Sequence, residues 1–276
     1  MFNIKPGPQH LLGRKAYIDD AWKDRLADIG ITSECDWMSL EIGTRVSNSK
    51  RVKAFRVDLK DGSCVYFKTY SFHGQLTDYF MRPSKCAVEV NSYQTLTEIG
   101  IPTINPIAFG EDRVCGMLKT CFIVTEGIPD TKELEKFAYE DWKDMPGNQK
   151  HKAFNEIFKE TAKFTRMAHE AGFFHYDLKW RNIIVTKKEG SYKTIWIDCP
   201  RGRKTNLRTE RGRMVDLSCL ARLALFYLTK TQRLRFLYEY FGESATKDEV
   251  RKMWRLVSEH LERRPPKPVK FKDRNT

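Results

Sequence analysis

Eight residues at positions 175–182, HYDLKWRN, place one histidine, one aspartate, two cations, a tryptophan and an asparagine between two apolar stretches, AGFF and IIV. Downstream, IIVT (183–186) and TIWI (194–197) read as two strands with Gly190 at the centre of their connection. Antiparallel pairing about that centre is expected to set Asn182 opposite Asp198 at one open end. Asp177 lies in the loop feeding the same end. An amide and a carboxylate are hard oxygen ligands suited to Mg²⁺, which makes Asn182 and Asp198 the candidate metal pair. Asp177 is left for a different task. Phosphoryl transfer needs positive charge on the phosphates and a carboxylate that orients the attacking hydroxyl, with little covalent help. Asp177 can be that carboxylate, and Lys179, two residues on, can meet the transferred phosphate. His175 is read as a support for the loop.

A lysine on the nucleotide phosphates completes such a site. AFRVDLKDGSCVYFKTY reads as two alternating strands joined by a two-residue hairpin at Asp61-Gly62. In the second strand Lys68 shares a face with Tyr66 and Tyr70, while Val65 and Phe67 point the other way. Residues 84–99 predict a helix with Ala87, Val90, Tyr93 and Leu96 on one stripe, stopped by Gly100 and Pro102. On it, Glu89 is the natural partner for Lys68, with Glu98 the rival. Two more strands, NPIAFGE and TCFIVTEGI, precede the breaker-rich TEGIPDTKE, where the lobe boundary is placed. The second half predicts helices, first over 149–170 with Phe154, Ile157, Phe158, Thr161 and Thr165 on one stripe, then from about Val215 onward. Trp180 and Trp196 read as packing residues. The fold class is α+β: a strand-rich N-lobe (1–126) with one main helix, then a helical C-lobe (127–276), with a Pro- and charge-rich tail from about residue 263 expected to be mobile.

The 276 residues carry 49 Lys and Arg against 36 Asp and Glu, a net charge of +13 that suits an anionic partner. Seven scattered cysteines without a CxxC pair read as buried free thiols of a reducing compartment. MFNIKPGPQHLLGRK lacks the apolar run of a signal peptide, and LSCLARLALFYL is too short and too interrupted to span a bilayer. These features together predict a cytoplasmic protein able to touch a membrane surface.

HYDLKWRN resembles the protein-kinase catalytic loop, with His175, Asp177 and Asn182 at the matching positions. Asp198 in IWIDCPRG stands where the D-F-G aspartate would be, Lys68 matches the strand lysine, and Glu89 matches the helix glutamate. Asp216 in MVDLSCLARL looks like the buried aspartate that props the catalytic loop. More narrowly, VYFKTYSFHGQLTDYF, IGIPTINPIAFGE and CFIVTEGIPDTKELEKF resemble the lipopolysaccharide core kinases that act on heptose or Kdo. The resemblance implies a bilobal protein-kinase-like fold and ATP with Mg²⁺. Backbone groups of residues 124–128, Glu126 and Ile128 among them, would form the adenine hinge. The implied acceptor is a lipid-linked glycan at the inner face of the inner membrane. Three departures stand out. IGTRVSNSKRVKAF keeps Gly43 but no G-x-G-x-x-G, which leaves Ser47, Asn48 and Ser49, flanked by Arg45, Lys50 and Arg51, to cover the phosphates. D-C-P replaces D-F-G, and the proline argues against a flipping switch. No A-P-E follows.

RGRKTNLRTERGR (201–213) holds six cations and one anion and reads as an anion-binding segment for an acidic acceptor. The basic tail could hold the protein to anionic lipid. A protein kinase or small-molecule phosphotransferase is the enzymatic alternative, disfavoured by the missing A-P-E. A pseudokinase or nucleic-acid-binding module is the non-enzymatic one, disfavoured by the complete catalytic set. The sequence assigns no oligomeric state.

Overall fold

The structure, a computed structural model, describes residues 1–47, 49, 51–72, 74, 76–142 and 144–266. The expectations for Asn48, Lys50 and the end of the basic tail lie outside the described residues. The chain divides into two compact units, one of Met1–Pro129 with Asp198–Arg201, the other of Asp130–Ile197 with the chain from Gly202 onward.

The first unit contains β1 (Gly13–Ile18), α1 (Lys23–Ala27), β2 (Thr44–Arg45), β3 (Val52–Asp58), β4 (Cys64–Ser71), α2 (Lys85–Ile99), β5 (Pro106–Val114) and β6 (Met117–Glu126). Its strands form one sheet in the order β1-β5-β6-β4-β3-β2. The alternation along β4 sorts its side chains. Val65 and Phe67 are buried in a core with Trp22, Leu26, Trp37, Phe55 and Phe122. Removing each large apolar side chain from water contributes about 1.5–3 kcal/mol. Lys68 and Tyr70 take the opposite face, toward α2. Ser84 caps α2 by accepting from the Ala87 N–H at 3.0 Å, and Gly100 ends it at φ 84°.

The β3–β4 connection differs from the expectation. Leu59 pairs with Ser63, so the loop is the three residues Lys60, Asp61 and Gly62 rather than a two-residue turn at Asp61-Gly62. Gly62 takes the left-handed conformation that such a loop needs, φ 81°. The loop is one residue longer than Asp-Gly alone suggests.

The second unit contains β7 (Thr131–Glu133), α3 (Leu134–Phe137), α4 (Gly147–Glu170), β8 (Phe173–Phe174), β9 (Ile183–Lys188), β10 (Ser191–Trp196), β11 (Arg203–Lys204), α5 (Thr209–Tyr227), α6 (Lys230–Phe241) and α7 (Lys247–Arg263). Ala162, Leu217, Leu237, Tyr240, Val250, Met253, Val257 and Leu261 form its helical core. β10 is an edge of the sheet β10-β9-β7, and α4 covers that edge with carboxylates. Glu156 accepts from the Tyr192 N–H at 2.9 Å, and Glu160 accepts from Thr194 N–H at 2.6 Å and its hydroxyl at 2.8 Å.

The β9–β10 register is also off the expectation by one. Lys188 pairs with Ser191 and Ile183 with Trp196, so Asn182 stands opposite Ile197 rather than Asp198, and its carbonyl accepts from Ile197 N–H at 2.9 Å. The turn is the residue pair Glu189 (φ 50°) and Gly190 (φ 78°), both left-handed as a type I′ hairpin requires, instead of a loop centred on Gly190. Among the described residues no helix is long and apolar enough to cross a membrane. The cysteines are free; Cys86, Cys121 and Cys199 are buried as expected, but Cys115 is exposed at the β5–β6 turn.

Candidate functional site

The first unit gathers one charged cluster. The Lys68 ammonium lies 3.3 Å from Glu89 Oε2 and 2.5 Å from Asp198 Oδ1. Glu89 is buried, whereas Glu98 is exposed. Tyr93, one helical turn beyond Glu89, donates its hydroxyl to Glu89 Oε1 at 2.7 Å and accepts from Asp198 N–H at 2.9 Å. Tyr70 donates to Glu89 Oε2 at 3.4 Å, and its ring lies 5.1 Å from the ammonium. Burial pulls the Lys68 pKa down, but Glu89 and then Asp198 outweigh it and the net shift is upward. Burial pushes the Glu89 carboxyl up, and Lys68 offsets only part of that. Burial also holds Tyr70 and Tyr93 well above the ordinary phenol range, so both hydroxyls remain donors. Asp198 itself sits in the left-handed region at φ 59°. The chain passes from Ile197 of one unit to Asp198 of the other, and Tyr93 and Lys68 hold that aspartate by its backbone and its side chain.

The second unit gathers the loop. Lys179 N–H donates to the Asp177 carbonyl at 2.7 Å, and Asn182 N–H donates to the Lys179 carbonyl at 2.9 Å, which turns the chain tightly. The Asn182 amide nitrogen donates to the Asp177 carbonyl at 2.8 Å, leaving Oδ1 as the amide's acceptor. Lys179 Nζ lies 2.5 Å from Asp177 Oδ1, while Arg181 is more distant at 3.9 Å from Oδ2. The Asp177 side chain keeps 19% of its surface, so its carboxylate is reachable. Beneath the loop Asp216, fully buried, accepts from His175 N–H at 2.8 Å and faces His169 Nε2 at 3.3 Å. His169 is held in turn by the Tyr240 hydroxyl at 2.9 Å and stacks on Phe174. His175 is buried and its Nε2 lies 3.3 Å from the Ile197 carbonyl, a supporting position. Trp180 and Trp196 are buried.

The remaining candidates fall around these clusters. The segment expected to cover phosphates is tied into itself: the Ser47 hydroxyl donates to the Val52 carbonyl at 2.7 Å, and Arg45 Nε donates to the Ser47 carbonyl at 2.9 Å. Gly43 has φ 70°, and a Cβ there would collide with the Arg56 carbonyl. At the expected hinge, Glu126 N–H donates to the Asn105 carbonyl at 2.9 Å and Gly127 N–H to the Cys64 carbonyl at 2.8 Å. Gly127 is the residue that lets these backbones approach, since a Cβ would meet Cys64. In the basic segment Arg203, Lys204, Arg208 and Arg211 are exposed, and the Arg203 guanidinium lies 6.0 Å from the Tyr176 ring.

Tyr93 sits on the apolar stripe that the sequence shows, yet its hydroxyl belongs to the site, and its i+4 spacing from Glu89 is the signal for it. The fully buried ion pair of Glu111 and Arg113 on β5, 2.7 Å apart, is not expected from the sequence. The i, i+2 spacing there places both on one strand face, but charge alone reads as solvent-facing.

A strand-rich unit whose long helix pairs a glutamate to a strand lysine, and a helical unit with a loop propped by a buried aspartate, make up a protein-kinase-like fold. A solved structure described as WaaP in complex with acyl carrier protein superposes with a TM-score of 0.67 at 21% identity, covering 90% of this chain and 98% of that one. A model of the Lipopolysaccharide kinase (Kdo/WaaP) family matches residues 47–240, and the chain belongs to that family. It is similar to the lipopolysaccharide core heptose(I) kinase WaaP of Pseudomonas aeruginosa, 30% identical over 158 residues, 55% of this chain and 58% of that protein. It is also similar to the Escherichia coli protein of the same name, 28% identical over 181 residues, 62% of this chain and 65% of that protein. The matched stretch thus spans less than two thirds of either relative.

Proposed function

We propose that the protein is an ATP-dependent kinase that transfers a phosphoryl group to a sugar hydroxyl, heptose or Kdo, of the lipopolysaccharide inner core. The observation that carries this reading is the Lys68 ammonium paired with both Glu89 and Asp198, in a chain of this family. Lys68, oriented by Glu89, holds the nucleotide phosphates. The Glu126 carbonyl and the Ile128 backbone are its hinge groups, and the Glu126 N–H is engaged with Asn105. Asp177 orients the acceptor hydroxyl and receives its proton, and Lys179 follows the charge of the transferred phosphoryl group.

The donor set fits Mg²⁺. Asn182 Oδ1 and the Asp198 carboxylate are hard oxygens, and the Asp198 side chain is 38% exposed. When bound, Mg²⁺ neutralises phosphate charge. Asn182 and Asp198 would hold it.

The acceptor is a lipid-linked glycan, which places the enzyme at the inner face of the inner membrane, and the exposed arginines of 203–211 supply forks for an acidic core sugar. Nucleic acid is not the partner in this reading. Incubation with ATP, Mg²⁺ and dephosphorylated core lipopolysaccharide, followed by mass spectrometry, should show one added phosphate on an assigned heptose or Kdo. No transfer to either sugar, together with transfer to a protein, would replace this reading with that of a protein kinase.

A second partner has its own support. The structural neighbour carries acyl carrier protein, and the helical unit here contains an apolar cavity lined by Phe158, Trp180, Leu217, Leu220, Trp254 and Val257, a lining suited to a fatty acyl chain. Intact-mass analysis of the purified protein should show acyl carrier protein bound. Its absence, with no binding on mixing, would remove it as a partner.

A further inference from the structure

Four large apolar side chains stand in water at one place on the strand-rich unit. Leu11, Leu12, Phe80 and Met81 are 51%, 69%, 56% and 49% exposed. They come from two segments that meet at the β5–β6 turn. Gly116 N–H donates to the Leu11 carbonyl at 2.8 Å, and Met81 N–H donates to the Gly116 carbonyl at 3.2 Å. Met81 Sδ and the Phe80 ring cover Gly116, lying 2.8 and 3.6 Å from where a Cβ would be.

The place is braced from beneath. Arg113, fully buried, pairs with Glu111 and donates to the carbonyls of Gly116 at 3.0 Å and Arg82 at 2.8 Å. Glu111 also accepts from the N–H groups of Gln9 at 3.3 Å and Ser84 at 3.4 Å. One buried ion pair therefore fixes both apolar segments and the turn between them. Buried ion pairs are weak stabilisers and strong positioning devices. Cys115 (φ 48°) and Gly116 (φ 79°) take the left-handed pair that the two-residue β5–β6 turn requires. Met81 (φ 54°) is left-handed without being glycine and is held so by its N–H bond to the Gly116 carbonyl. Folding gains nothing from holding four apolar chains in solvent, whereas a partner that removes them from water does.

Charge selects the partner. Arg82 follows Met81, Arg14 and Lys15 follow Leu12, and Lys5 precedes them; all are exposed. Arg14 is shared with Asp36, and Asp78 and Asp112 are the acids bordering the patch in sequence and sheet register. The chain as a whole carries +13. Apolar side chains beside a turn with cations at the margin match the boundary between headgroups and acyl chains of an anionic bilayer. We propose that this patch is a membrane-docking surface, with Leu11, Leu12, Phe80 and Met81 entering the interface and Arg82 and Lys15 meeting anionic headgroups. It does not depend on the kinase reading, since lipid binding is measured without nucleotide.

The test is flotation of the full chain with phosphatidylglycerol-containing vesicles, against pure phosphatidylcholine vesicles and high salt. The wild type should bind the anionic vesicles. Leu12→Glu with Phe80→Glu should weaken binding by about tenfold or more, while removal of residues 267–276 should leave most of it. Where the double variant loses its fold, a second readout decides. A polarity-sensitive dye on exposed Cys115, with Cys35, Cys64 and Cys219 replaced by serine, should shift to the blue on the anionic vesicles. Full binding by a folded double variant, no blue shift, loss of binding only with the tail, or a dimer lost in the variant without vesicle binding would each overturn the proposal.

Discussion

At Lys68 an ammonium lies between two carboxylates, and the neighbouring hydroxyls of Tyr70 and Tyr93 complete the shell of Glu89. The arrangement favours position over stability. Burial raises the Glu89 pKa, so its ionisation works against the folded state: its contribution is most favourable below the ordinary glutamate range and wanes as pH rises through the raised folded value. Lys68 has the other partners' help, so its contribution is full below the ordinary lysine value of 10.5 and lost only as pH rises through its raised folded value. Glu89→Gln should accordingly change stability little near pH 7, because Asp198 still pairs with Lys68 and burial already disfavours the ionised Glu89. The stability difference should move in favour of the variant as pH rises through the Glu89 folded value. Phosphate transfer should nevertheless fall by roughly 100-fold, because the lysine loses its orientation. Denaturant unfolding across pH, beside a transfer assay, checks both parts; a large loss of stability with unchanged transfer would reverse the assignment.

At the scale of elements, the loop at 175–182 is held by α5 through Asp216. Removing that carboxylate strands the buried His175 N–H and leaves His169 facing an empty place. Asp216→Ala should lower unfolding free energy by about 3 kcal/mol or more, seen as a lower thermal midpoint. An unchanged midpoint would mean that the loop is held by other means. The long elements are legible in the sequence, because α2 and α4 carry apolar stripes and clear stops, and the alternation along β4 puts Lys68 on the correct face. The registers of two hairpins are not. Asp61-Gly62 belongs to a three-residue loop, and Glu189-Gly190 makes a two-residue turn, so each expected register was one residue out. Register follows loop length, and Asp-Gly or a lone glycine is compatible with more than one length. The Tyr93 hydroxyl escaped because a tyrosine on an apolar stripe is read as packing. Glu111 and Arg113 escaped because two charges on a strand read as exposed until the fold shows each fully enclosed.

For the whole molecule, the family match and the protein-kinase-like fold set the class of chemistry, and the two clusters are the proposed machinery for it. A ligand that binds only the folded state raises stability by mass action, about 2.7 kcal/mol at a hundred times its Kd. ATP with Mg²⁺ should therefore raise the thermal midpoint, and chelation of Mg²⁺ should remove most of the rise. An equal rise without the ion would take Asn182 and Asp198 out of the metal role. In the proposed mechanism Asp177 handles the acceptor hydroxyl while the other groups hold the nucleotide. Paired measurement of ATP affinity and phosphate transfer in Asp177→Ala separates the two roles. Transfer should be abolished with ATP affinity close to wild type; transfer at the wild-type rate would overturn the role of Asp177.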